Sequence, residues 1–232
     1  MRIVIVGSGK MGQAVAAQAA ARGHTVHAVI GSADNARGQA LTRERLAGAD
    51  VAIEFTRPDA VVANLERLID AGIPTVTGTT GWEAELPRIT RLVEQRGGAL
   101  LHASNFSAGV HLFLRTAQDL ARRFAGQAAF DAFILDKHHS AKLDAPSGTA
   151  RALQARLRQG DPGREFPITS VRAGSIPGTH VVTYDAPSET VALSHVARNR
   201  EGFAAGAIAA AAWLPGHPGV HTFEDMLFGA SG

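Results

Sequence analysis

The 232-residue chain contains no cysteine. That removes disulfides, thiolate catalysis and cysteine-ligated zinc from the chemistry open to it. Lysine is nearly absent too: of 23 basic residues only Lys10, Lys137 and Lys142 are lysines, and arginine supplies the cations elsewhere. Aromatic residues make up 6%, and no basic patch has the interleaved rings on which single-stranded nucleic acid would stack. The formal net charge is only +2 and the arginines are scattered, so no nucleic-acid partner is expected. No apolar run approaches membrane-spanning length; the longest helical candidate, residues 202–214, is short and alanine-rich. The start, Arg2-Ile3-Val4-Ile5-Val6-Gly7, reads as a strand and not as a signal peptide. These exclusions point to a cytoplasmic protein with no membrane partner.

What is present is ordinary globular composition, 45% apolar and 19% charged, at a length that allows one large domain or two small ones. The first hundred residues alternate strand and helix. Strands are predicted at residues 3–6, 26–30, 51–54, 75–77 and 100–103, with helices at 11–22, 58–71 and 83–95. That alternation implies right-handed βαβ units and a parallel sheet. Beyond residue 105 the pattern changes to helices at 111–124 and 149–158 and strands at 132–137, 170–172, 180–185 and 190–197. The fold class expected is α/β: an amino-terminal Rossmann-like parallel sheet and a second α+β domain with a mixed or antiparallel sheet. The boundaries expected are 1–105 for a dinucleotide-binding domain and 106–202 for a substrate and oligomerisation domain. Residues 203–232 are expected to pack back on the first. The tetrapeptide Asp-Ala-Pro-Ser, at 144–147 and again at 185–188, reads as a turn in both places.

Gly7-Ser8-Gly9-Lys10-Met11-Gly12 follows a strand and opens a helix, the context that gives a glycine-rich loop its meaning. Gly7 permits the turn, Gly9 lets a pyrophosphate approach the backbone, and Gly12 lets the helix pack on the strand. Helix-start amides then hold the phosphates. A carboxylate for the ribose of NAD is expected at the end of the second strand, yet Ile30-Gly31-Ser32-Ala33 offers none and Asp34 comes late. Ser32 and Arg37 could accept a 2′-phosphate, which leans toward NADPH over NADH.

The densest chemistry lies in Asp136-Lys137-His138-His139-Ser140-Ala141-Lys142-Leu143-Asp144-Ala145-Pro146-Ser147-Gly148-Thr149-Ala150. Pro146 and Ser147 are suited to starting a helix, and free amides near Gly148 and Thr149 would form an anion site. His138, His139 and Lys142 bring three donors to the same mouth, which suits a small polycarboxylate and proton transfer. Adjacent histidines point to opposite sides of a strand and no carboxylate stands at metal spacing, so no metal is expected. Ser147 lacks the G-x-S-x-G turn of a nucleophile.

The run from His138 to Ala150 resembles the signature of the 4-hydroxy-tetrahydrodipicolinate reductase (dihydrodipicolinate reductase) family. Glu54-Phe55-Thr56-Arg57-Pro58, Gly78-Thr79-Thr80-Gly81 and Ser104-Asn105-Phe106-Ser107 are similar to its nucleotide-domain motifs. Arg172 through His180 and Ser194-His195 are similar to its substrate-domain motifs. The resemblance implies His138 and Lys142 as acid–base residues, and His139, Gly148 and Thr149 as holders of the substrate carboxylates. It implies Gly7, Ser8, Gly9, Lys10, Met11, Gly12, Gly78, Thr79, Thr80, Ala103, Ser104, Asn105 and Phe106 as the lining for NADPH or NADH. The reaction implied is hydride transfer to an unsaturated cyclic dicarboxylate in lysine and diaminopimelate biosynthesis, by a homotetramer built through the second domain's sheet. The chain departs from the family in being short between its second and third strands and in a glycine loop one residue shorter. It also has Asp136 where a glutamate two residues before the histidine pair is common. Two alternatives stay open at this level: another Rossmann amino-acid dehydrogenase of aspartate or homoserine type, and a non-catalytic NAD(P) sensor.

Overall fold

The computed structural model describes residues 1–199 and 201–229. Residue 200 of the expected second domain and residues 230–232 of the expected carboxy-terminal segment lie outside them. The chain forms two compact units, one of Met1–Ala108 with the segment from Glu201 onward, the other of the residues between. Among the described residues no helix is long and apolar enough to cross a membrane.

In the first unit β1 (Arg2–Val6) is wholly buried from Ile3 to Val6, the signature of a strand covered on both faces. It leads to α1 (Lys10–Ala21), β2 (Thr25–Ile30), α2 (Arg43–Leu46), β3 (Val51–Glu54), α3 (Pro58–Asp70), β4 (Thr75–Thr77), α4 (Leu86–Arg96) and β5 (Ala99–His102). The helix predicted from residue 83 is two pieces, because residues 83–85 form a 3-10 turn and α4 starts at Leu86. Pro87 explains the join: a residue without an N–H is tolerated in a first turn and not further in.

The second unit holds α5 (Ala108–Phe124), β6 (Asp131–His138), α6 (Gly148–Gly160), β7 (Ile168–Arg172), β8 (Thr179–Ala186) and β9 (Glu189–Val196). Its sheet runs β7-β6-β8-β9, parallel between β6 and β7 and antiparallel elsewhere. Val110, Phe113, Leu114 and Ala117 of α5 and Leu153 and Leu157 of α6 cover one sheet face, against Ala132, Ile134, Val182 and Tyr184. The second Asp-Ala-Pro-Ser ends β8 with its first two residues, and only Pro187 and Ser188 make the hairpin turn.

The chain then adds α7 (Glu201–Trp213), β10 (Gly219–Thr222) and α8 (Phe223–Phe228) to the first unit. Alanines of α7 enter the core, and Gly206 lies so close to the chain that a Cβ there would stand 1.8 Å from the Phe106 carbonyl oxygen. The first sheet is parallel throughout, ordered β10-β5-β4-β3-β1-β2. Side chains alternate: Ile3 and Ile5 meet α1 and α7, whereas Val4 and Val6 meet Leu41, Leu46 and Leu68. Strand order reverses between β1 and β3, and such a reversal opens a crevice at the carboxyl ends of the strands.

Candidate active site

The glycine loop occupies that crevice end of β1. Gly7 adopts φ +111°, and a Cβ there would stand 2.0 Å from the Phe55 carbonyl oxygen. A Cβ on Gly12 would stand 1.9 Å from the Gly7 oxygen, so the start of α1 is pressed onto the strand. Gly9 differs, since a Cβ there would meet nothing within 4 Å. It is the N-cap of α1 with no side-chain cap, and no acid stands in the first turn. A bare helix start beside an open backbone fits a dinucleotide pyrophosphate. Lys10 and Met11 form the first turn, and Ser8 Oγ faces Gly31 at the end of β2. Ser32, Asp34 and Arg37 follow there and are exposed.

Beside it a buried polar network fixes the loops after β3 and β4. Glu54 accepts from Thr77 Oγ1 at 2.6 Å, from Asn64 Nδ2 at 3.3 Å and from Thr56 Oγ1. Asn64 accepts from Asn35 Nδ2 at 2.9 Å, and Thr79 Oγ1 accepts from the Thr56 amide at 2.8 Å. Gly78 lies against the Phe55 ring, where any side chain would collide, while Thr80 is exposed. Ala103, Ser104 and Asn105 follow β5 at the same sheet end, and Asn105 Oδ1 accepts from the Ser107 amide. The Phe106 ring is 1% exposed, packed edge-on to Phe55 and Phe223, so the lining expected of this residue falls to its backbone. That side chain is a core anchor, because the turn after β5 points it inward.

The second unit holds the titratable centre. Burial alternates along β6, so Asp136 and His138 share its buried face. Asp136 Oδ2 accepts from the Ser147 amide at 2.9 Å, Arg172 Nη2 at 2.8 Å and Ser170 Oγ at 3.1 Å. Oδ1 accepts from Ser147 Oγ at 2.8 Å and lies 3.0 Å from His138 Nδ1. The imidazole is turned so that this last contact is electrostatic and not a straight hydrogen bond. Ser147 is the N-cap of α6 and accepts from the Ala150 amide at 3.2 Å. With Ser147 N and Ala150 N engaged, the amides of Gly148 and Thr149 have no acceptor among the described residues. A Cβ on Gly148 would meet nothing within 4 Å, which leaves that backbone open. Lys142 Nζ bonds Asp144 Oδ1 at 2.6 Å, and Arg172 Nη2 also reaches the Asp144 carbonyl at 2.6 Å.

The protonation states follow from these surroundings. Burial would raise the Asp136 carboxyl, but the bonds from Arg172, Ser147 and Ser170 outweigh it and hold it well below the usual carboxylate range. Burial lowers His138, with Lys142 and Arg172 lowering it further against the opposing pull of Asp136. Burial also pushes His180 down to about 4 and lowers His195. The imidazoles of His138, His180 and His195 are therefore neutral near pH 7.

Sequence reasoning singled out His138, Lys142, Gly148 and Thr149, and the structure links His138 to the α6 start through Asp136. His139 lies just past the end of β6, half-buried, with no hydrogen bond into that network. The expectation that no carboxylate stands at metal spacing needs correction: Asp136, His138 and His180 bring ligand atoms within 4.8 Å of one another. Asp136 and His138 sit two apart on one strand, and His180 arrives on β8 directly opposite Asp136. The guanidinium on Asp136 and the serine donors occupy the carboxylate, so the cluster is a hydrogen-bond network and a poor cation site. The two-residue spacing was readable in the sequence; the partnership with His180, 44 positions on, was not.

Comparison with known proteins places these features. Residues 1–106 match the family model described as dihydrodipicolinate reductase, N-terminus, and residues 109–227 the model for its C-terminus. A 4-hydroxy-tetrahydrodipicolinate reductase from Christiangramia forsetii is 34% identical, with 98% of each chain covered. One from Thiobacillus denitrificans is 33% identical at the same coverage. Among solved structures, dipicolinate-bound dihydrodipicolinate reductase from Paenisporosarcina sp. TG-14 shares the fold with a TM-score of 0.75. It is 21% identical over 98% of this chain and 100% of that one.

Proposed function

The chain belongs to the dihydrodipicolinate reductase family, and we propose that His138 and Lys142 are its acid–base pair and the α6 start its carboxylate site. It is a nicotinamide-dinucleotide-dependent reductase of 4-hydroxy-tetrahydrodipicolinate in lysine biosynthesis. The observation that carries the proposal is the pair of free amides at Gly148 and Thr149, capped into place by Ser147 beside His138. When bound, the dihydronicotinamide supplies a hydride. The protein's own part is the matching proton. Lys142 carries it as an ammonium, held by Asp144 and 24% exposed, so solvent can restore it after each turnover. Neutral His138 offers a lone pair to pass or accept that proton. His139, Gly148 and Thr149 hold the two carboxylates. Gly7 through Gly12, Gly78 through Thr80 and Ala103 through Phe106 line the nucleotide, Phe106 by its backbone alone.

Domain roles follow: nucleotide binding in residues 1–105, and substrate binding and assembly in 106–202. Ser32 and Arg37 favour NADPH or make it equal to NADH, since neither is an acid that would repel a 2′-phosphate. Homotetramer formation through the second sheet is supported by its outer face, where Val171 is 38% and Val196 58% exposed beside half-buried Phe133, Leu135 and Val181. The test of function couples the protein to the upstream synthase and follows loss of nicotinamide absorbance. Turnover with either dinucleotide is expected; none with both, from folded protein, overturns the reading.

A further inference from the structure

The donors converging on one buried carboxylate point past substrate contact to how the site is set. The Ser147 hydroxyl has one proton and two acceptor positions. Its proton goes to Asp136 Oδ1 at 2.8 Å, and one acceptor position takes the Ala150 amide at 3.2 Å. The remaining contact, His180 Nε2 at 3.2 Å, is therefore a donation from the ring, so His180 is the Nε2–H tautomer. Its Nδ1 is then an acceptor, and it is buried with no partner among the described residues.

The same bookkeeping applies to His138. The contact to Asp136 Oδ1 is too bent for a hydrogen bond, yet at 3.0 Å an ionised carboxylate repels a ring lone pair and attracts a ring N–H, so the facing nitrogen is the one that carries hydrogen. That assigns the proton to Nδ1 and leaves Nε2 for chemistry. A Cβ on Gly178 would stand 3.1 Å from that Nε2, so glycine at 178 keeps the working nitrogen uncrowded. The charged and titratable neighbours of His138 are Asp136 on its own strand, Arg172 on β7, His180 on β8, and Lys142 and Asp144 in the loop. Arg172 is engaged by Asp136 and Lys142 by Asp144, which leaves the Asp136 carboxylate as the charge nearest the ring, at 3.0 Å from Nδ1.

Resting on the reductase reading above, we propose that Asp136 is a positioning residue: one buried carboxylate fixes the His138 tautomer and, through both Ser147 donors, the helix start that receives the substrate carboxylate. Acid–base group and anion site are thereby set by a single charge and cannot drift apart independently. Asp136 does not touch substrate. Its replacement should alter both functions together while leaving the glycine loop unaffected.

The experiment uses the full chain labelled with ¹⁵N at histidine, with His138→Gln to assign the ring. In the unmodified protein His138 should show the Nδ1–H tautomer. Asp136→Asn should lose that tautomer and cut turnover at least tenfold. It should move the limb of the pH profile owed to His138 to lower pH and weaken pyridine-2,6-dicarboxylate at least tenfold. Dinucleotide affinity should stay within twofold. Asp136→Glu, which keeps the charge on a longer arm, should recover the tautomer and part of the rate. Ser147→Ala isolates the other half: dicarboxylate binding should fall while the tautomer stays. An Nε2–H tautomer in the unmodified protein overturns the proposal, as does an unchanged dicarboxylate affinity in Ser147→Ala. So does stoichiometric zinc binding lost in Asp136→Asn, which would make the cluster a metal site. The first two of these readouts stand even if Asp136→Asn fails to fold. Absence of turnover in the unmodified protein would instead sink the reductase reading, which the tautomer does not test.

Discussion

Ser147 caps α6 with its hydroxyl oxygen and hands both of its own donors, amide and hydroxyl, to the two oxygens of Asp136 eleven residues earlier. A helix start is thus pinned to the strand that carries His138. Capping of this kind is worth about 1 kcal/mol as a local effect. Removing one member of a buried charged cluster costs more, about 3–5 kcal/mol, because its partner is left unpaired. The consequences reach beyond stability, since the amides freed by that arrangement are those of Gly148 and Thr149.

The glycine loop separates a ligand effect from a folding effect. Gly9→Val should leave the thermal midpoint nearly unchanged, because a Cβ there meets nothing. It should weaken both dinucleotides at least tenfold, by filling the space the pyrophosphate needs. Gly12→Ala should do the reverse, lowering stability by about 1–3 kcal/mol through overpacking against the Gly7 carbonyl. Calorimetry of binding beside thermal unfolding distinguishes them. A Gly9→Val protein that binds normally would remove the loop from the nucleotide site.

His138→Gln and Lys142→Ala should each reduce turnover by roughly two to four orders of magnitude, the span of a lost general acid or charge donor. Dinucleotide affinity should hardly change in either. Steady-state rates with fluorescence titration of the cofactor check both. Intact turnover in Lys142→Ala would end the role assigned to that lysine.

Stability should fall in mild acid, before most carboxylates titrate. The folded-state value of His180 is depressed to about 4, below the ordinary imidazole value. Above both values the ring is neutral in either state and contributes nothing to the pH dependence. As pH drops through about 6.5 the unfolded chain takes a proton that the folded one refuses, so unfolding is favoured until about pH 4. The loss is about 3 kcal/mol for that residue alone, and lowered His138 and His195 act in the same direction. Urea unfolding at pH 7.5, 6 and 4.5 should show this slope, and His180→Gln, which keeps a donor toward Ser147, should flatten it. An equal slope in both proteins would assign the loss elsewhere.

How much of this the sequence disclosed differed by kind of signal. Short runs of apolar and β-branched residues disclosed β1, β3 and β4 to within a residue, since buried parallel strands leave a dense pattern. β10 escaped because its place at the sheet edge rests on backbone pairing with β5 and not on its single valine. The capping box of Thr222 and Asp225 at the start of α8 was a readable signal that went unused. At the site, His138, Lys142 and the α6 start were legible because they lie within a dozen residues. Arg172 and His180 reach Asp136 only through strand pairing across β7 and β8, which spacing along the chain does not reveal. Phe106 was placed in the lining by the family resemblance alone, which does not disclose that its ring enters the core.

On the proposed reading, the α6 start makes recognition depend on two carboxylates. If Gly148 and Thr149 present amides to one and His139 meets the other, a planar rigid dicarboxylate such as pyridine-2,6-dicarboxylate should compete with substrate. Pyridine-2-carboxylate forfeits one charge-assisted interaction, worth about 1.5–3 kcal/mol, and should inhibit at least tenfold more weakly. Gly148→Val should erase that difference, because a branched side chain would fill the open approach to the backbone. The substitution costs the fold little, as a Cβ at 148 meets nothing and the position is exposed. Inhibition constants for both compounds against both proteins decide the matter. Equal inhibition of the unmodified protein by the mono- and dicarboxylate would mean that the anion site lies elsewhere, and that the cap between Ser147 and Asp136 serves the fold alone.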